Sequence, residues 1–191
     1  MGLDHFSLLA PFYDRVFGVR GADRLQELLA LPANGPLLDV GGGTGRVTQS
    51  LRGLAAPLLV SDVSVGMLRQ ATGKAGLSTL NAHAEHLPFA AGSLVRILVV
   101  DAFHHFCHQV EAAAELWRVL APAGRLVIEE PNIETWPVKL IALAEKLMLM
   151  RSRFYAPETI KMMFEAFGAP VEIHTDQRQS TAWVVVQKQK L

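Results

Sequence analysis

Leu37-Leu38-Asp39-Val40-Gly41-Gly42-Gly43-Thr44-Gly45-Arg46-Val47-Thr48 is the stretch whose reading decides the fold. A short apolar strand runs into a turn packed with glycine, and amphipathic positions Val47, Leu51 and Leu54 then start a helix. Glycines at 41, 43 and 45 let the backbone bend sharply and come within contact of a ligand that any Cβ would hold off. The helix after the turn presents free N–H groups at its start. Strand, turn and helix together form a cradle for a nucleoside-bearing cofactor.

Spacing narrows the choice of nucleoside. The dinucleotide pattern G-x-G-x-x-G wants a small residue in its third glycine slot, and counting from Gly41 that slot holds Arg46. The pattern present is G-x-G-x-G with an acidic residue, Asp39, two places before it. A second carboxylate, Asp62, closes the next apolar run, Leu58-Leu59-Val60-Ser61. An acid at the end of a second strand, about 20 residues past the first glycine, suits the two hydroxyls of a ribose. NAD sites and S-adenosylmethionine sites share that geometry.

The chain resembles the class I S-adenosylmethionine-dependent methyltransferases, and among them the group that includes the quinone-biosynthesis C-methyltransferases. Five segments carry the resemblance in order. They are Ala10-Pro11-Phe12-Tyr13-Asp14, the glycine segment, Ser61-Asp62-Val63-Ser64-Val65-Gly66-Met67-Leu68, Ala84-Glu85-His86-Leu87-Pro88-Phe89, and Arg118-Val119-Leu120-Ala121-Pro122-Ala123-Gly124-Arg125-Leu126. The resemblance implies a single-domain, Rossmann-like α/β fold. Its seven-stranded, mostly parallel sheet would carry helices on both faces, with the last strand antiparallel.

Composition agrees with one α/β domain. The chain has 191 residues, half of them hydrophobic, and 18 basic groups balance 18 acidic ones. A balanced surface offers no general attraction for nucleic acid or an anionic membrane, so a small neutral or apolar acceptor is the expected partner. The single cysteine, Cys107, excludes an internal disulfide and fits a cytoplasmic protein. No secretion signal is read in the first twenty residues. The greasy stretch Val138 to Met150 is interrupted by Lys139, Glu145 and Lys146, too early for a transmembrane span.

Strand candidates at 37–41, 57–62, 78–83, 95–101, 125–130, 170–175 and 181–189 alternate with helical patterns. The almost wholly apolar run 95–100 is expected to lie centrally. Residues 111–120 read as a helix with Ala112, Leu116, Val119 and Leu120 inward, stopped by Pro122. Two segments stand outside the alternation. Residues 1–31 form an N-terminal helical lid, and 136–167 form a helical insertion over the acceptor site.

The resemblance assigns roles. Gly41, Gly43 and Gly45 would lie at the methionine portion of S-adenosylmethionine with Thr48 close by, Asp39 at its ammonium group and Tyr13 at its carboxylate. Asp62 would take the ribose hydroxyls, Val63 and Met67 would sandwich the adenine, and the Ala84 N–H would meet a ring nitrogen. His83 departs from the family, which commonly has aspartate there. A neutral imidazole accepts one hydrogen bond from the adenine amino group and makes recognition pH-dependent. Asp101 would stabilise the sulfonium, and His105 would remove a proton from the acceptor. Each residue also has a plainer reading as a turn, a cap or a core residue.

Five of the seven histidines fall between 83 and 108, but after a buried strand, with a single thiol, they match no metal-ligand pattern. Apolar side chains around 136–150, followed by Met162, Met163, Phe164 and Phe167, suit an acceptor with a ring or an alkyl tail. The same stripe equally suits core packing, or burial against a second copy in a homodimer. Two rivals remain open: a methyltransferase-like binding module without turnover, and an NAD-dependent oxidoreductase.

Overall fold

Residues 21–147 and 152–190 are described by the computed structural model. The elements are α1 (Ala22–Leu28), β1 (Leu37–Val40), α2 (Arg46–Ser50), β2 (Leu58–Asp62), α3 (Val65–Thr72), β3 (Leu77–Asn81), β4 (Leu94–Val100), α4 (Gln109–Val119), β5 (Leu120–Pro131), α5 (Trp136–Leu147), α6 (Pro157–Glu165), β6 (Val171–Asp176) and β7 (Thr181–Gln187). A 3-10 turn, Phe103–His105, separates β4 from α4.

The seven strands lie in the order β3-β2-β1-β4-β5-β7-β6. β1, β2, β3, β4 and β5 pair in parallel, while β7 runs antiparallel to both β5 and β6. The expected architecture, including the antiparallel last strand, is therefore the one observed. Every side chain of β1 is buried, as a strand covered on both faces demands.

Alternation along the strands divides the core. Leu38, Val40, Ile97, Val99, Leu126 and Ile128 point to the face covered by α4 and α6. Leu37, Leu58, Leu98 and Val127 point to the opposite face, against Leu25 and Leu28 of α1 and Val47 of α2. Burying each such aliphatic side chain contributes roughly 1.5–3 kcal/mol. Arg96 and Arg125, at matched positions on β4 and β5, donate to the carbonyls of Leu29 (2.5 Å) and Leu28 (3.1 Å), which pins the end of α1 to the sheet.

The chain winds from β1 towards β3 and then crosses to β4 on the other side of β1. That reversal leaves a crevice at the carboxyl ends of β1 and β4, where open α/β sheets bind ligands.

Several boundaries differ from the sequence expectation. α4 starts at Gln109, two residues early, because the Gln109 side chain is buried and donates to the carbonyls of Phe103 and Arg153. It ends at Val119 because Leu120 is already extended and pairs with Leu94. Of the expected lid, α1 is described, whereas Tyr13 and the rest of 1–20 lie outside the described residues. Phe164 is fully buried in the core, and Phe167 stacks on Trp117 at 6.0 Å. Trp117 belongs to the last turn of α4, which returns to the amino ends of the strands, so Phe167 stands away from the crevice.

Candidate functional site

The glycine turn is built by its neighbours as much as by its own sequence. Gly43 has φ +55, and a Cβ there would face Met67 Cε and Asp62 Oδ2 at 3.8–3.9 Å, in ordinary contact. Asp62, at the end of β2, holds the turn in place: its Oδ2 accepts from Gly43 N at 2.9 Å and its Oδ1 from Ser64 N at 2.8 Å. Ser64 then caps α3 by accepting from Met67 N at 3.4 Å. One carboxylate thus ties the first strand-turn-helix to the second, and it faces the cavity between them.

Gly42 has a different task, one the sequence pattern did not single out. A Cβ on it would lie 2.6 Å from Asp39 Cγ and 2.9 Å from Val60 Cγ1. Its hydrogen therefore makes room for the buried carboxyl of Asp39. Thr48 donates to Asp39 Oδ2 at 2.5 Å, while Oδ1 accepts no hydrogen bond among the described residues. Burial pushes the Asp39 carboxyl up to about 6; Thr48 opposes the rise, Asp62 adds to it and Arg46 opposes it.

The cavity at the carboxyl ends brings together most of the residues singled out from the sequence. Its floor is Asp39, Gly41 and Gly43, and its far wall is Asp62, Val63, Met67, His83 and Ala84. Asp101 and His105 close the near side, with Arg46 at the start of α2. Gly45 and Thr48 are the exceptions, as neither lines the cavity. The Thr48 hydroxyl is turned to Asp39, and a Cβ on Gly45 would meet Leu77 Cδ1 at 2.7 Å, so both act behind the cavity.

Three wall residues went unmarked in the sequence. Glu85 is buried, accepts from His108 N at 2.9 Å, and has Oε2 4.0 Å from Nδ1 of the exposed His83. A carboxylate therefore stands beneath the imidazole that replaces the family's aspartate. Phe106 supplies an apolar surface close to Gly41. Arg46 supplies positive charge to Asp39, Asp101 and Glu129.

The near side is crowded with titratable groups. Glu130 accepts from Phe103 N at 2.8 Å and meets His104 Nδ1 at 2.6 Å, both side chains buried. His104 stacks on Phe154 at 4.3 Å and lies 4.0 Å from the His105 ring. His105 Nδ1 is 3.1 Å from Ser152 Oγ. Burial, then the charge of His104, presses His105 down to about 3, so its imidazole is neutral near pH 7 and a weaker base than an ordinary histidine. Asp101 has φ +50, a left-handed conformation tolerated better by aspartate than by most residues. It keeps an accessible surface because it opens on the cavity, yet protein crowds it enough for desolvation, then Glu130, to raise its carboxyl, against His104 and Arg46.

These residues fit S-adenosylmethionine. An orphaned buried acceptor on Asp39 and the carboxylates of Asp62, Glu85 and Asp101 suit a ligand bearing ammonium and sulfonium charge. Val63, Met67 and Phe106 suit a flat heterocycle.

Comparison with known proteins agrees with this geometry. Residues 38–128 match the methyltransferase domain family. A demethylmenaquinone methyltransferase of Thermus thermophilus is 36% identical over 139 residues, 65% of this chain and 63% of that protein. The chain thus spans a little under two thirds of that relative's length. A demethylmenaquinone methyltransferase of Clavibacter sepedonicus is 26% identical over 196 residues, 94% of this chain and 78% of that protein. In structure, a SAM dependent methyltransferase from Archaeoglobus fulgidus superposes with a TM-score of 0.77 at 15% identity, covering 97% of this chain and 100% of the other. At that identity the likeness is one of fold.

Proposed function

We propose that this chain is a class I S-adenosylmethionine-dependent methyltransferase that transfers a methyl group from S-adenosylmethionine to a small apolar or aromatic acceptor in the cytoplasm. The observation that carries the reading is the acidic cavity at the strand ends, where the Asp39 carboxyl has an unsatisfied buried oxygen beside a glycine turn held by Asp62. The names of the quinone-methylating relatives support an aromatic acceptor.

S-adenosylmethionine brings an already electrophilic methyl carbon on a sulfonium, so the protein's work is alignment, charge and exclusion of water. Asp62, which lines the cavity at the end of β2, receives the ribose hydroxyls. Val63 and Met67 pack the adenine, and Ala84 N–H and His83, backed by Glu85, meet its edge. Asp39 receives the ammonium group, and that contact offsets the burial of its charge. Arg46 offers its guanidinium to the methionine carboxylate, a task Tyr13 shares. Asp101 faces the developing charge change at the near side.

Calorimetric titration with S-adenosylhomocysteine, run beside NADH, tests the reading. Micromolar binding of S-adenosylhomocysteine alone is expected. Preference for NADH overturns the cofactor assignment, and binding of neither leaves only the fold.

A further inference from the structure

Methyl transfer to an aromatic hydroxyl compound must dispose of a proton, and the group that takes this proton has meaning only if the chain is the methyltransferase proposed for it. His105 faces the cavity but is a feeble base. The carboxyl ends of β4 and β5 offer something better. Asp101 stands on the cavity wall in its left-handed turn, and its N–H donates to the Glu129 carbonyl at 3.0 Å, which lays the two residues side by side. The Glu129 carboxylate is fixed from β7 by Trp183, whose Nε1 donates at 2.6 Å.

The charged surroundings of this pair come from several elements. Arg46 from α2 pulls both carboxyls down, and His104 does the same to Asp101. Glu130 on β5 pushes both up, as Asp101 does to Glu129. Arg24 of α1 lies over the Trp183 ring, 5.9 Å from its centroid. Burial dominates the balance and lifts Glu129 to about 7, with Asp101 also raised. Burial and the neighbouring Asp101 charge let Glu129 hold a proton near neutral pH, while Asp101 is the carboxyl that faces the cavity.

We propose that, for an aromatic hydroxyl acceptor of the kind the relatives' names suggest, Asp101 and Glu129 are the proton acceptor of the methyl-acceptor subsite. Asp101 takes the departing proton and becomes neutral, and Glu129 is a positioning residue whose ionisation is coupled to the Asp101 charge. The acceptor's O–H bond breaks and its proton passes to the Asp101 carboxylate. The electron pair left on oxygen, or on a conjugated ring carbon, forms the new bond to the methyl carbon. Sulfur keeps the pair of the breaking S–C bond and becomes a neutral thioether. After attack from ring carbon, the ring proton moves to the oxygen and aromaticity returns.

The test uses the full chain saturated with S-adenosylhomocysteine, carrying carboxyl-13C aspartate and glutamate, with 1-naphthol as the probe. Resonances are assigned with Asp101→Asn and Glu129→Gln. The expected result is that 1-naphthol shifts both resonances. In turnover with S-adenosylmethionine and 1-naphthol, Asp101→Asn is expected to lower kcat by about 100-fold and Glu129→Gln by about 10-fold, with little change in KM. Trp183→Phe removes a hydrogen bond that favours the Glu129 carboxylate, so the rise of kcat with pH moves to higher pH, which a purely structural role for Trp183 does not produce. The proposal is overturned if 1-naphthol fails to bind or binds without moving either resonance, or if the two variants keep the wild-type rate and pH profile. Failure to bind S-adenosylhomocysteine defeats the methyl-transfer reading itself, whereas retained cofactor binding beside those results defeats only the carboxylate pair.

Discussion

Asp62→Ala perturbs binding and folding together, and the structure gives each its size. The carboxylate accepts two backbone N–H bonds, from Gly43 at 2.9 Å and Ser64 at 2.8 Å, both at partly buried positions. A hydrogen bond to a charged group is worth about 1.5–3 kcal/mol, and water can replace part of that at a half-open site, so the pair contributes about 2–3 kcal/mol. For a domain of this size each kcal/mol moves Tm by about 2–4 °C, which places the loss at roughly 5–10 °C. The ribose contact adds a separate loss of about 1.5–3 kcal/mol in S-adenosylhomocysteine affinity, roughly 10- to 150-fold. Urea denaturation of the ligand-free protein reads the first quantity and calorimetry the second. Asp62→Asn is expected to recover less than half of the stability, because its amide NH2 faces one of the two N–H donors. A Tm within 2 °C of wild type together with unchanged affinity refutes the claim that this side chain both holds the turn and binds the ribose.

Three further outcomes are expected. Asp39 binds its proton more tightly folded, at about 6, than unfolded, so its contribution favours the folded state at acid pH and is lost as pH rises through about 6. Two pKa units amount to about 3 kcal/mol, so ligand-free Asp39→Asn should gain stability on wild type between pH 4.5 and 8 while binding S-adenosylmethionine at least about tenfold more weakly; a pH-independent difference in urea denaturation contradicts this. Gly42→Ala puts a methyl 2.6 Å from Asp39 Cγ and should cost about 1–3 kcal/mol of stability along with cofactor affinity, measured by the same two methods; a neutral result means the carboxyl has room to move. Glu130→Ala strips the buried His104 and Phe103 N–H of their acceptor and should cost about 3–5 kcal/mol in urea, and a loss under 1 kcal/mol denies the pair its structural role.

Much of the cavity was legible because its parts are local. The glycine turn and the end of β2 are short segments whose residue types directly limit backbone geometry. What stayed hidden depends on contacts between distant segments. Thr48 reads equally well as a ligand contact or as an internal partner until Asp39 is seen 2.5 Å away. His105 reads as an ordinary imidazole base until its burial and its neighbour His104 are known. Glu129 reads as an ordinary strand-end carboxylate, since Trp183, its donor, is 54 residues further on. The Phe164 stripe could line a pocket or fill a core, and only its packing against α4 and the sheet shows the core.

The sequence by itself determined the α/β class, the alternation of strands and helices along the chain, the glycine turn and the spacing from that turn to Asp62, because these follow from hydrophobic periodicity and from the few residues that tolerate sharp turns. Tertiary structure alone decided which carboxyls hold a proton, which hydroxyl turns inward and which imidazole is neutral. Those properties depend on desolvation and on charges brought together across the sheet, and neither is a function of position along the chain.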